Sequence, residues 1–72
     1  MEQYQDAATK ATDDNVKSKA FYNMGNTYVQ TQKYSEAIAS YKNSLKLNPN
    51  DDDAKYNLSY ALKMIREQEK KN

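Results

Sequence analysis

The side chains that most often do chemistry are scarce in this chain. It has no histidine and no cysteine, so the usual pairings of nucleophile and base, which need an imidazole or a thiolate near neutral pH, cannot be assembled. Its serines, lysines and carboxylates show no catalytic spacing. One glycine in the whole sequence leaves no glycine-rich phosphate loop. Two acidic clusters remain, Asp13-Asp14 and Asp51-Asp52-Asp53. Neither has the alternating oxygen ligands, central glycine and distal glutamate of a calcium loop. Each stands where a helix should begin, and a short carboxylate there accepts free backbone N–H groups and suits the positive end of the helix. The expectation is therefore no metal, no cofactor and no enzyme.

What is left is binding chemistry. Tyr22 and Asn26, like Tyr56 and Tyr60, stand four apart and off the expected core stripes, which predicts aromatic rings exposed in register on two helices. Tyrosine suits an interface because it offers a stiff apolar face and a hydroxyl. The competing reading is that Tyr56 and Tyr60 lie half-buried against neighbours.

The elements that position these residues are helices. One glycine and one proline in 72 residues, with alanine, lysine, glutamine, leucine and asparagine abundant, predict an all-α chain with short turns. Four helices are expected, over residues 2–11, about 15–30, from Ser35 to about Leu47, and from Asp52 onward. Tyr4, Ala7, Ala8 and Ala11 give the first a thin apolar stripe. Either Asp13 or Asp14 is placed to cap the second, and Ser35 to cap the third. Asn48-Pro49 ends the third, because the residue before proline is pushed out of helical geometry.

Two apolar stripes organise the middle of the chain: Phe21, Met24 and Tyr28 on one helix, and Ala37, Ile38, Tyr41 and Leu45 on the next. Gly25 inside the first helix costs about 1 kcal/mol relative to alanine. It needs a packing reason, and the expected one is close approach of Tyr41 or Ala37. At Thr31, Gln32 and Lys33 the chain must turn without a glycine, so one of these residues should bear a left-handed backbone. Ser44 should be buried, its hydroxyl bonded to a carbonyl one turn back in its own helix. The last helix carries Ala54, Leu58, Ala61, Leu62 and Ile65 on one stripe.

Phe21, Met24, Gly25, Tyr28, Ala37, Tyr41 and Pro49 fall within one 34-residue unit, 18–51. That spacing resembles the tetratricopeptide repeat. The resemblance implies an antiparallel helix-turn-helix repeat, here a fragment of an α-solenoid. Residues 1–14 read as a helix of a preceding partial repeat, 18–51 as the full repeat, and 52–72 as a capping helix with a frayed tail, within one domain. Asp52 to Leu62 repeats the start of the unit, with Ala20, Tyr22 and Asn23 recurring as Ala54, Tyr56 and Asn57. Phe21 is answered by Lys55 and Gly25 by Ser59, which suits a terminal helix with no partner after it and an array whose natural C-terminus lies here.

The family resemblance further implies a protein-interaction module whose first helices line a concave groove for a peptide or partner helix. Carried onto this chain, the groove positions are Lys19, Tyr22, Asn26, Val29 and Gln30, then Asp53, Tyr56, Tyr60, Lys63 and Met64. Asn23 and Asn57 occupy a position that bonds a ligand's backbone in many members. A clamp for a carboxylate terminus is disfavoured, because Tyr22 stands where such members have lysine. The last two helices also resemble those of bacterial aerotolerance-operon repeat proteins, which would imply an envelope-associated scaffold. The alternative function is a self-associating structural fragment, a homodimer without its own ligand, since about three repeats are usually needed to bury a continuous core.

Charge narrows the partners. Eleven basic and ten acidic residues leave a net charge of +1, giving no electrostatic case for nucleic acid, an anionic membrane or an acidic substrate. No apolar run approaches the roughly 18 residues of a membrane span, and residues 1–15 lack a signal peptide's apolar core. A protein or peptide partner is the expectation that remains.

Overall fold

The computed structural model of the chain describes residues 13–71. Among them are three helices and no strand: α1 (Asp13–Gln30), α2 (Tyr34–Leu47) and α3 (Asp52–Lys71). The described residues thus hold three helices rather than four. The helix expected over 2–11 lies outside them. The described part of α1 begins at Asp13, so Asp13 and Asp14 lie within the helix, and the residues ahead of them lie outside the described ones.

α1 and α2 are joined by three residues, and the turn closes through the backbone. Lys33 N–H donates to Tyr28 C=O at 2.8 Å and Gln32 N–H to Val29 C=O at 3.0 Å, the paired bonds of a Schellman ending. That ending requires a left-handed residue just past the helix, and Gln32 supplies it with φ 62°. The strain expected of this turn therefore falls on Gln32. So tight a turn leaves no room for a separate cap. α2 starts at Tyr34 without a side-chain capping bond, and Ser35 stands inside the helix instead of before it. Tyr34 is thereby drawn into the core.

At its other end α2 stops at Asn48, whose extended backbone (φ −143°) precedes Pro49. Asp51 then opens α3, its Oδ1 accepting from Ala54 N–H at 3.2 Å. Asp52 and Asp53 follow in the first turn, where negative charge is favoured.

The contacts fix the directions. Ser18 meets Ser44 and Gly25 meets Tyr41, so numbers rise along α1 as they fall along α2. α3 returns antiparallel to α2 and runs parallel to α1, with Asn57 beside Tyr22 and Asn26.

The buried cluster is Tyr34, Ala37, Tyr41 and Ala61, with Tyr28, Ile38, Leu58 and Ile65 among those packed on it. Gly25 has the expected cause. A Cβ built there would stand 2.6 Å from Tyr41 Cδ1 and 2.8 Å from its Cζ, closer than carbon atoms tolerate. The first stripe is less apolar than expected: Met24 is 44% exposed, and Phe21 is half-buried outside that cluster. Leu62 of the last stripe is likewise exposed. At the Ser18–Ser44 end of the α1–α2 interface the contact is polar. Ser44 is buried, but Ser44 Oγ donates across the interface to Ser18 C=O at 2.8 Å rather than to its own helix. Ser18 Oγ lies 3.1 Å from Ser44 C=O and 3.0 Å from Ser44 Oγ. Two small hydroxyls thus bond each other's helix where a larger side chain would hold the backbones apart.

Candidate functional site

The parallel helices α1 and α3 form two walls, and the loop before α3 closes one end. The resulting groove, about 620 Å³ in volume, is lined by Lys19, Tyr22 and Asn23 from α1 and by Asn48, Asn50, Asp51, Asp52 and Asp53 opposite.

Further along, the walls are bonded to each other. Asn57 Nδ2 donates to Tyr22 Oη at 3.1 Å and to Asn26 Oδ1 at 3.0 Å. The same Asn26 Oδ1 accepts from Tyr41 Oη at 2.5 Å. Tyr41 is the deepest large side chain of the core, 1% exposed, and a buried phenol needs such a partner. Its ring sits 6.0 Å from that of Tyr22 in a tilted pair at 51°, a geometry that aromatic quadrupoles favour. Burial pushes the Tyr41 hydroxyl above its ordinary value of 10.0; the nearby Asn57 amide opposes the rise and Tyr22 adds to it.

The expected site residues separate into three groups. Tyr22, Asn26 and Asn57 are brought together as half-buried members of one hydrogen-bonded network, so Tyr22 is not the freely exposed ring its spacing suggested. Val29 and Met64 turn inward and pack on the core cluster. Lys19, Asn23, Gln30, Asp53, Tyr56, Tyr60 and Lys63 are exposed. Of these, Tyr56 is 74% and Tyr60 43% exposed, one helical turn apart on α3.

Two features of the site escaped sequence reasoning. Tyr41 belongs to it through its hydroxyl, and the signal was available, since a tyrosine facing the only glycine must place its oxygen somewhere across α1. The loop residues Asn48 and Asn50 line the groove too, and only their place before the second repeat start could have suggested it.

Among the described residues no group of three histidine, cysteine, aspartate or glutamate side chains could hold a metal ion. No described helix is long and apolar enough to cross a membrane.

A helix pair with glycine under an aromatic ring, a Schellman turn, a proline exit and a third helix parallel to the first define a helical-repeat protein. Residues 18–51 match the family model of the tetratricopeptide repeat, so the chain carries one full repeat of that family there. It is also 32% identical over 79 aligned positions to the peptidyl-prolyl cis-trans isomerase CYP7 of Saccharomyces cerevisiae, an alignment covering 99% of this chain and 20% of that protein. The chain thus spans about a fifth of the length of the curated relative it matches. No solved structure matches it significantly.

Proposed function

We propose that the chain is a non-catalytic binding module that takes a peptide or a partner helix in the groove between α1 and α3. Tetratricopeptide repeats generally mediate protein–protein interaction, and one observation carries the reading to this groove. Asn26 and Asn57 each use one edge of the side-chain amide to hold the walls together. Among the described residues the other edges, Asn26 Nδ2 and Asn57 Oδ1, make no hydrogen bond. They leave a donor on α1 and an acceptor on α3, the two kinds of group with which a peptide backbone pairs. Lys19, Asn23, Tyr56, Tyr60 and Lys63 surround this pair as adaptable contacts. The reading concerns this chain only; the isomerase it resembles is far longer.

Peptides of about a dozen residues, long enough to track both helices, can be selected from a random display library against the folded chain and titrated by two-dimensional NMR. The side-chain amide signals of Asn26 and Asn57 should move together. Selected peptides that move only residues away from these helices would refute the groove.

Self-association is a second reading, favoured by Val16 and Met24, which leave apolar side chains 55% and 44% exposed on α1. Sedimentation equilibrium decides it. A dimer whose melting temperature climbs with concentration, and which Met24→Lys dissociates, supports it; a monomer at all concentrations removes it.

A further inference from the structure

On α3, next to the residues that line the groove, the open surface is aromatic. Tyr56 and Tyr60 stand one turn apart on α3, and no described element covers them. Their charged surroundings decide what would. Asp52 and Asp53 stand four and three residues before Tyr56, so both carboxylates rise beside that ring. Asp51 is already committed to Ala54 N–H. Asp52 has a cation, Lys55, only at the 4.0 Å limit, and both side chains are well exposed. Asp53 forms no ion pair among the described residues. Asp53 shares the positive end of the helix with Asp52, and its carboxylate, without a cation of its own, lines the groove.

We propose that the partner of this groove is a basic extended peptide, which lays an arginine or lysine on the Tyr56 ring and within reach of the Asp52 and Asp53 carboxylates. The proposal rests on the groove reading and adds the chemistry of its occupant. A cation over a tyrosine face is attracted by the ring quadrupole, and a guanidinium can meet a carboxylate at the same time. An acidic peptide would meet repulsion from three carboxylates. A wholly apolar one would bury them unpaired. Lys55 is paired with Asp52; Lys19 on the facing wall is the one basic residue of the groove lining, and it supplies a control of opposite sign.

Three short glycine–serine peptides, carrying two arginines, two glutamates or two leucines, would be titrated at low salt and followed by NMR. The arginine peptide should bind tightest, move Asn26, Asn57 and Tyr56 signals, and weaken as salt rises. Tyr56→Leu and Asp53→Asn should each weaken it about two- to five-fold, the first with melting temperature unchanged because the ring is exposed, the second with a small fall because its charge suits the helix start. Tyr56→Phe should retain affinity and Lys19→Ala should raise it. If the glutamate or leucine peptide binds as tightly while Asn26 and Asn57 still move, the charge assignment falls and the groove stands. If the arginine peptide leaves Asn26 and Asn57 unmoved, both fall. Signals of Tyr56 that move with protein concentration alone would assign the face to a second copy and overturn the proposal.

Discussion

Replacing Gly25 with alanine tests the helix contact from which the rest of the packing follows. The added Cβ would lie 2.6 Å and 2.8 Å from ring atoms of Tyr41. The ring cannot simply swing aside. It is 1% exposed, its hydroxyl is bonded to Asn26, and Tyr22 leans against it. Forcing an extra carbon into such a site costs about 1–3 kcal/mol, and shifting the ring also loses or weakens the bond to Asn26, about 1 kcal/mol more. Alanine returns about 1 kcal/mol through helix propensity. The net is a loss of about 2 kcal/mol, equivalent to roughly 8–16 °C in melting temperature for a domain of this size. Circular dichroism melts would read it. The decisive control is the same substitution in a Tyr41→Ala background, held folded by a stabilising osmolyte. With the ring gone, Gly25→Ala should become stabilising by about 1 kcal/mol. A change of equal sign and size in both backgrounds would refute the contact.

Other substitutions probe the remaining joints. Gln32→Gly should stabilise by up to about 1 kcal/mol, because glycine accepts the left-handed backbone that Gln32 is forced into; a lower urea midpoint would contradict the turn geometry. Ser18→Ala and Ser44→Ala should each cost about 1 kcal/mol, and the double variant less than their sum, since each removes a partner of the other; strict additivity would argue against the bridge. The Tyr41 hydroxyl, raised above 10.0 by burial, keeps its proton in the fold after the unfolded chain has lost it. Its contribution is thus complete below pH 10 and declines as pH climbs through the folded value. Tyr41→Phe should flatten that part of the alkaline decline in urea-measured stability, and an unchanged slope would show that other groups cause it.

How far the sequence could be read follows from which forces are periodic. Gly25 facing Tyr41, the strained turn and the proline exit were all legible, because each is a local rule or a one-face pattern. The Ser44 hydroxyl was assigned to its own helix because its true partner, Ser18, looks in sequence like any exposed serine at a helix start. Ser35 looked like a cap because the compactness of the Schellman turn depends on backbone bonds that no side chain announces. Met24 and Leu62 kept the spacing of core residues yet stay exposed, since spacing tells which residues share a face and not whether anything covers it. At the candidate site, Tyr56 and Tyr60 emerged exposed as their positions implied. Tyr22 did not, because an amide on a helix thirty-five residues away takes its hydroxyl.

Asn26 accepts from the hydroxyl of the innermost tyrosine, so on the proposed reading recognition and folding share a single group. A ligand that engages this amide or Asn57 would tighten the joint between α1 and α3 as it binds, so affinity would appear partly as added thermal stability. Substitutions deep in the core, far from any ligand, would change affinity through the same joint. Conversely, residues selected for a new ligand at Asn26 or Asn57 would be limited to those that still satisfy Tyr41. Specificity is therefore freest to vary at Lys19, Asn23, Tyr56, Tyr60 and Lys63, where nothing inside the fold depends on the side chain.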